Sequence, residues 1–154
     1  MRQDSNTAAR LKFLSRVVKK ELQHLLYTDA KLFVSPLSVD TVASFEKNAD
    51  LAELADAFVA RFGRLQDTLG DKLVPALLAH KGEKLGPAID NLDKAERFNW
   101  LESVDDWFAI RQLRNKMVHE YIEDPQILTD ALNAGHQFVP VLKETTKKMI
   151  SAGL

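Results

Sequence analysis

Apolar residues recur at three- and four-residue steps along nearly the whole chain, and strand-like alternation is scarce. That periodicity restricts the fold to helices packed on helices, because each stripe of apolar side chains needs a facing stripe to cover it. Leu11, Leu14, Val18, Leu22, Leu25 and Leu26 predict a first helix from about Asn6 to Tyr27. Lys31 to Leu37, with Pro36, is the least helical stretch. It reads as a short extended linker that packs Phe33 on the bundle, and Ser38 is suited to cap the next helix. The next stripe, Leu51, Leu54, Ala55, Phe58, Phe62, Leu65 and Leu69, meets Gly70, which reads as its end. Asp71 then caps a short piece through Leu78, with Pro75 in its first turn. A loop lies between His80 and Pro87, and Pro87 opens a helix through Ile89, Leu92 and Ala95. Ser103 with Asp106 forms a capping-box pattern ahead of a helix from Val104 to about Ile122. Asp124-Pro125 starts a last helix through Ile127, Leu128, Ala131, Leu132, Phe138, Val139 and Leu142. The expected architecture is one all-α domain over residues 1–154, an antiparallel bundle of four to five main helices.

Composition narrows the function classes. The chain has 154 residues, 45% of them hydrophobic, which is enough for a core without staples. It has no cysteine, which excludes disulfides, thiolate nucleophiles and cysteine zinc sites. Lysine plus arginine is 21 against 22 acidic residues, a net charge of −1. Attachment to nucleic acid by bulk charge is thereby disfavoured, while a local basic surface stays open. The first six residues carry no secretory signal, and no apolar run reaches the roughly 18 residues needed to span a bilayer. The expectation is a soluble, cytoplasmic protein without a membrane partner.

Chemistry-bearing residues concentrate in the helix after Ser103. At about 100° per residue, Trp107, Ile110, Met117, Val118 and Tyr121 share one sector, and Arg114 falls inside it. A guanidinium on an apolar face is costly unless it is paired or meets a wet cleft. Arg111, Asn115 and His119 lie beside that sector, the last two one turn apart. Pairing of Arg114 with Glu120, Asp105 or another carboxylate inside the bundle is the plain structural alternative.

The string Arg114-Asn115-Lys116-Met117-Val118-His119 resembles the arginine, four residues, histidine motif of HEPN domains. With Glu120-Tyr121 it is similar to the arginine-x4-histidine-x-tyrosine form of the HepT branch and of nucleotidyltransferase substrate-binding proteins. The resemblance implies a homodimer whose motif helices face each other, and metal-independent cleavage of RNA, tRNA or mRNA, by a toxin. The partner it implies is an MNT-type nucleotidyltransferase. His119 would be the general acid or base and Arg114 the phosphate clamp, with Asn115 orienting one or the other. Arg111 and Lys116 would contact substrate, and Tyr121 would accept AMP from the partner. No cofactor or metal is called for. The alternative within the same resemblance is a non-catalytic HEPN module that docks a nucleotidyltransferase or binds a nucleotide. The glycine-glutamate-alanine-rich helix common in HepT proteins is not evident, since Gly82-Glu83 sits in a loop.

Other features read as structural. His24, His80 and His136 are scattered singly, without the helical spacing of a metal site. Asp105-Asp106 suits a helix start. Phe98, Trp100, Trp107 and Phe108 read as core or dimer packing, because no basic residues interleave with them. Lys143, Lys147 and Lys148 suit the end of a helix, and Arg10, Lys12, Arg16, Lys19 and Lys20 read as a solvated face or a phosphate-contacting strip.

Overall fold

Caps chosen by the sequence start the helices. The computed structural model describes the backbone of residues 2–119 and 124–153, and the side chains of 6–118 and 124–153. Helix α1 is Arg2–Leu32, α2 Val39–Ala43, α3 Ala49–Asp67, α4 Val74–His80, α5 Ala88–Arg97, α6 Val104–His119 and α7 Pro125–Gly153. Ser38 Oγ accepts from the Thr41 amide at 3.1 Å, and Asn48 Oδ1 from Leu51 at 3.1 Å. Ser103 Oγ accepts from Asp106 at 3.1 Å, and Asp124 Oδ1 from Gln126 at 2.9 Å. Each satisfies an amide that the first turn leaves without a partner. Helices are the only regular elements among the described residues, so the chain is an all-α bundle.

Several helix boundaries differ from the expected ones: α1 already begins at Arg2, and Asp71 caps nothing, because it lies inside a continuous helical run. Helix α1 continues to Leu32, because buried Thr28 and Leu32 extend its stripe beyond Leu25. Gly70 does not end α3. A π-helical turn over Thr68–Leu73 joins α3 to α4 in one run, and the Val74 amide reaches back five residues to the Leu69 carbonyl. Pro75 supplies the reason: in a regular helix its ring would clash with the carbonyl of residue 71, and a widened turn relieves that clash. The wider turn also keeps the stripe aimed inward, since Leu65, Leu69, Leu73 and Leu77 step by four and are all fully buried.

Side-chain pairs fix the direction of the four long elements. Arg61 in α3 donates to the His24 carbonyl at 3.2 Å and to Thr28, while Thr68 bonds Glu21, so α1 and α3 run antiparallel. Gly135 lies against Phe58 and Gly153 against Leu77, so α7 runs parallel to the α3–α4 run. Gly63 meets Arg114 and Gly70 meets Trp107, so α6 runs antiparallel to it. The topology is up-down-up-down. Helix α6 has 16 residues against 31 in α1 and 29 in α7, and α5 fills the remaining length by packing on α4 and α6.

The linker is shorter than expected, since Lys31 and Leu32 belong to α1, but Phe33 packs on the bundle. Phe33 stacks on the His136 ring at 4.3 Å and meets Phe58 edge-on at 5.1 Å. Asn133 grips Leu37 through both its amide and its carbonyl, at 3.0 and 2.8 Å. His136 therefore serves packing, with Nδ1 2.6 Å from Asp29, while His24 and His80 are exposed. Among the described residues, no helix is long and apolar enough to cross a membrane.

Candidate functional site

The motif helix is seated by glycines. Gly63 and Gly70 lie seven residues apart on the α3 run, and Arg114 and Trp107 lie seven apart on α6, so two turns of one helix match two turns of the other. A Cβ on Gly70 would come within 2.9 Å of the Trp107 indole nitrogen, and one on Gly63 within 3.0 Å of Arg114 Nε. On its other flank α6 lays Met117 against Gly135, where a Cβ would be 3.5 Å from the Met117 sulfur. Trp107, Ile110 and Met117 are buried, as their shared sector predicts, and Arg114 stands among them.

Arg114 is only partly buried. Its stem lies on Gly63, and Nη2 reaches Asp67 Oδ2 at 3.3 Å, with the two side chains 35% and 39% exposed. One turn earlier on α6, Arg111 Nη1 lies 3.7 Å from Asp71 Oδ1. The seam between α3 and α6 thus carries two arginine–aspartate rungs that solvent reaches. The partner of Arg114 is Asp67, not Asp105; Glu120, the other carboxylate considered, lies outside the described residues. Half-exposed pairs of this kind contribute about 0.2–1 kcal/mol each, so stability gives little reason to place an arginine among core residues.

The other motif residues divide. Asn115 and Lys116 are exposed, Asn115 one turn beyond the seam residue Arg111. His119 is the last described residue of α6, one turn beyond Asn115, and its side chain lies outside the described residues. Tyr121 lies wholly outside them. Val118, expected in the apolar sector, is instead 49% exposed, because it sits at the sector's edge beyond the reach of α3. Sequence reasoning missed Asp67 and Asp71, having ended the helix between them. Their four-residue spacing beside the core stripe, with the matched glycine spacing, was the available signal.

Basic and acidic groups continue beside the seam. A groove of about 350 Å³ opens next to Asp71, with Arg10 and Lys72 on its wall and Pro75, Ala79 and Leu85 among its lining. Of the described basic side chains on α1, Arg10 lines this groove; Lys12, Arg16, Lys19 and Lys20 are exposed. Across the run, Glu21 accepts from Thr68 through Oε2, while its buried Oε1 has no hydrogen-bond partner among the described residues. Burial pushes the Glu21 carboxyl above the ordinary range, opposed by the Thr68 bond and by Arg64 and Lys72.

A raised folded-state value means the unfolded chain releases this proton first as pH rises, so Glu21 lowers stability progressively above the ordinary glutamate range. Glu21→Gln should match the wild type near pH ~4 and be the more stable protein at pH ~7. Denaturant unfolding at both pH values checks this, and a variant equally destabilised at both would contradict it.

No protein-family model, curated protein or solved structure matches the chain.

Proposed function

We propose that the chain is a HEPN-type, HepT-like ribonuclease, the toxin of a pair whose other member is an MNT-type nucleotidyltransferase. The observation that carries this reading is the position of Arg114: it packs on Gly63, stays about a third exposed and meets Asp67 at the seam, on the helix that holds His119. A rigid, always-charged planar group at such an opening suits a phosphate better than it suits a core. The reaction needs no metal. The His119 imidazole takes the proton of a ribose 2′-hydroxyl, the 2′-oxygen bonds to the adjacent phosphorus, and the bond to the 5′-oxygen breaks. His119 of the partner subunit returns a proton to that oxygen, leaving a 2′,3′-cyclic phosphate and a 5′-hydroxyl. Arg114 holds the phosphate through the charge that develops. The homodimer brings two α6 helices together across this cleft, and exposed Val118 offers an apolar contact between them.

One observation favours a second reading. Asp67 already engages Arg114, so phosphate must displace a carboxylate, which fits a non-catalytic module that docks its nucleotidyltransferase. Expression in bacteria separates the two. The nuclease arrests growth, His119→Ala relieves the arrest, and coexpression with the partner adds AMP to Tyr121, seen as a mass gain on its peptide. An arrest that survives His119→Ala contradicts the nuclease, and an adduct on another residue removes Tyr121 from the scheme.

A further inference from the structure

Aromatic and basic residues that stand apart in the sequence converge at the end of the bundle formed by α5 and α7. The turn that closes α5 contains Asn99, whose φ of 63° is the left-handed conformation that ends many helices. The Asn99 amide donates to the Glu96 carbonyl and the Trp100 amide to that of Ala95, both at 2.9 Å. This turn drives Trp100 into the core, where it is 4% exposed, and leaves Phe98 outside at 40%. The two rings stack with centroids 4.8 Å apart and planes 14° from parallel. Trp100 therefore backs one face of Phe98 with a fixed, buried platform.

Cations flank that ring on both sides. An open groove of about 420 Å³ joins Phe98, Asn99 and Trp100 to Lys147 and Lys148 of α7. A second groove, of about 210 Å³, runs on from Phe98 past Lys94 and Arg97. Lys94 is partly engaged by Glu83 at 3.9 Å and by the Lys84 carbonyl, and Glu144 lies in the larger groove; Arg97, Lys147 and Lys148 have no ion-pair partner among the described residues. Basic residues do interleave with the aromatics, contrary to the sequence expectation, because the fold brings α7 beside the end of α5. An immobilised aromatic ring between cations spaced along a groove is the composition of a single-strand nucleic-acid platform.

We infer that Phe98, backed by Trp100 and flanked by Arg97, Lys147 and Lys148, is a docking site for single-stranded RNA, on which one base stacks while the neighbouring phosphates meet the cations. The choice of RNA over other anions rests on the proposed nuclease function; the stacking geometry does not. Neither groove is lined by Arg114 or by any other α6 residue, so the surface positions a strand rather than cutting it.

Fluorescence anisotropy of a labelled 12-nucleotide oligouridylate, with the His119→Ala protein to prevent cleavage, tests the inference. Phe98→Ala should weaken binding by about tenfold, within the range for loss of one stacked base. Lys147→Gln with Lys148→Gln, a surface pair whose loss leaves the core intact, should lower the slope of log affinity against log salt by about 1.4 for two lost phosphate contacts. Binding unchanged in both variants, or no binding by the parent protein, overturns the site; in the latter case the surface suits a protein contact instead. Phe98-dependent binding in a protein that never cleaves RNA keeps this site and overturns the nuclease, whereas cleavage without Phe98-dependent binding does the reverse.

Discussion

On the proposed nuclease function, RNA cleavage should fall by about 10²–10⁴ in His119→Ala and by about 10²–10³ in Arg114→Ala, the ranges for removing a general acid–base group and a charge-stabilising donor. The two losses are not additive, because both groups act on one transition state. Arg114→Lys does not restore the rate. A lysine keeps the charge but has no planar fork with which to hold a phosphate and stay near Asp67. Stability separates this from simple structural damage: pairs as exposed as Arg114–Asp67 contribute at most about 1 kcal/mol, so Arg114→Lys, which keeps most of the stem packed on Gly63, unfolds close to wild type. Rates measured on a short RNA, beside thermal unfolding of each variant, check both parts. A rate loss that tracks unfolding would show Arg114 to be only a strut.

The second large effect concerns the glycine seat. Gly70→Ala places a Cβ 2.9 Å from the Trp107 indole, a rigid buried ring with nowhere to move. Overpacking of this kind costs about 1–3 kcal/mol, which outweighs the gain of up to about 1 kcal/mol that alanine brings to a helix. Gly63→Ala meets Arg114, a long side chain that can swing away, so its stability stays near wild type. Its expected cost falls on cleavage instead, because the guanidinium leaves its seat. Melting temperatures and rates for the pair should therefore split, Gly70→Ala losing stability and Gly63→Ala losing activity. Equal effects in both would show that the seat does not position Arg114.

Much of the fold was legible because its determinants are local. The stripes from Leu11 and Leu51, and the caps at Ser38, Ser103 and Asp124, act within one or two helical turns. Gly70 was misread because a glycine after an apolar stripe usually ends a helix, whereas here Pro75 favours a π turn and Trp107 needs the missing side chain. Arg114 stood out by its helical position alone. Its partner Asp67 did not, since which carboxylate meets it depends on how α3 and α6 cross. The placing of Phe98 and Lys147 on one groove is equally tertiary and leaves no trace in sequence spacing.

The most direct measurement is end-group analysis of tRNA incubated with the purified protein in chelator, without divalent metal. The account predicts discrete fragments ending in 2′,3′-cyclic phosphate and beginning with 5′-hydroxyl. Intact tRNA from a folded dimer, or fragments bearing 5′-phosphate, would contradict it.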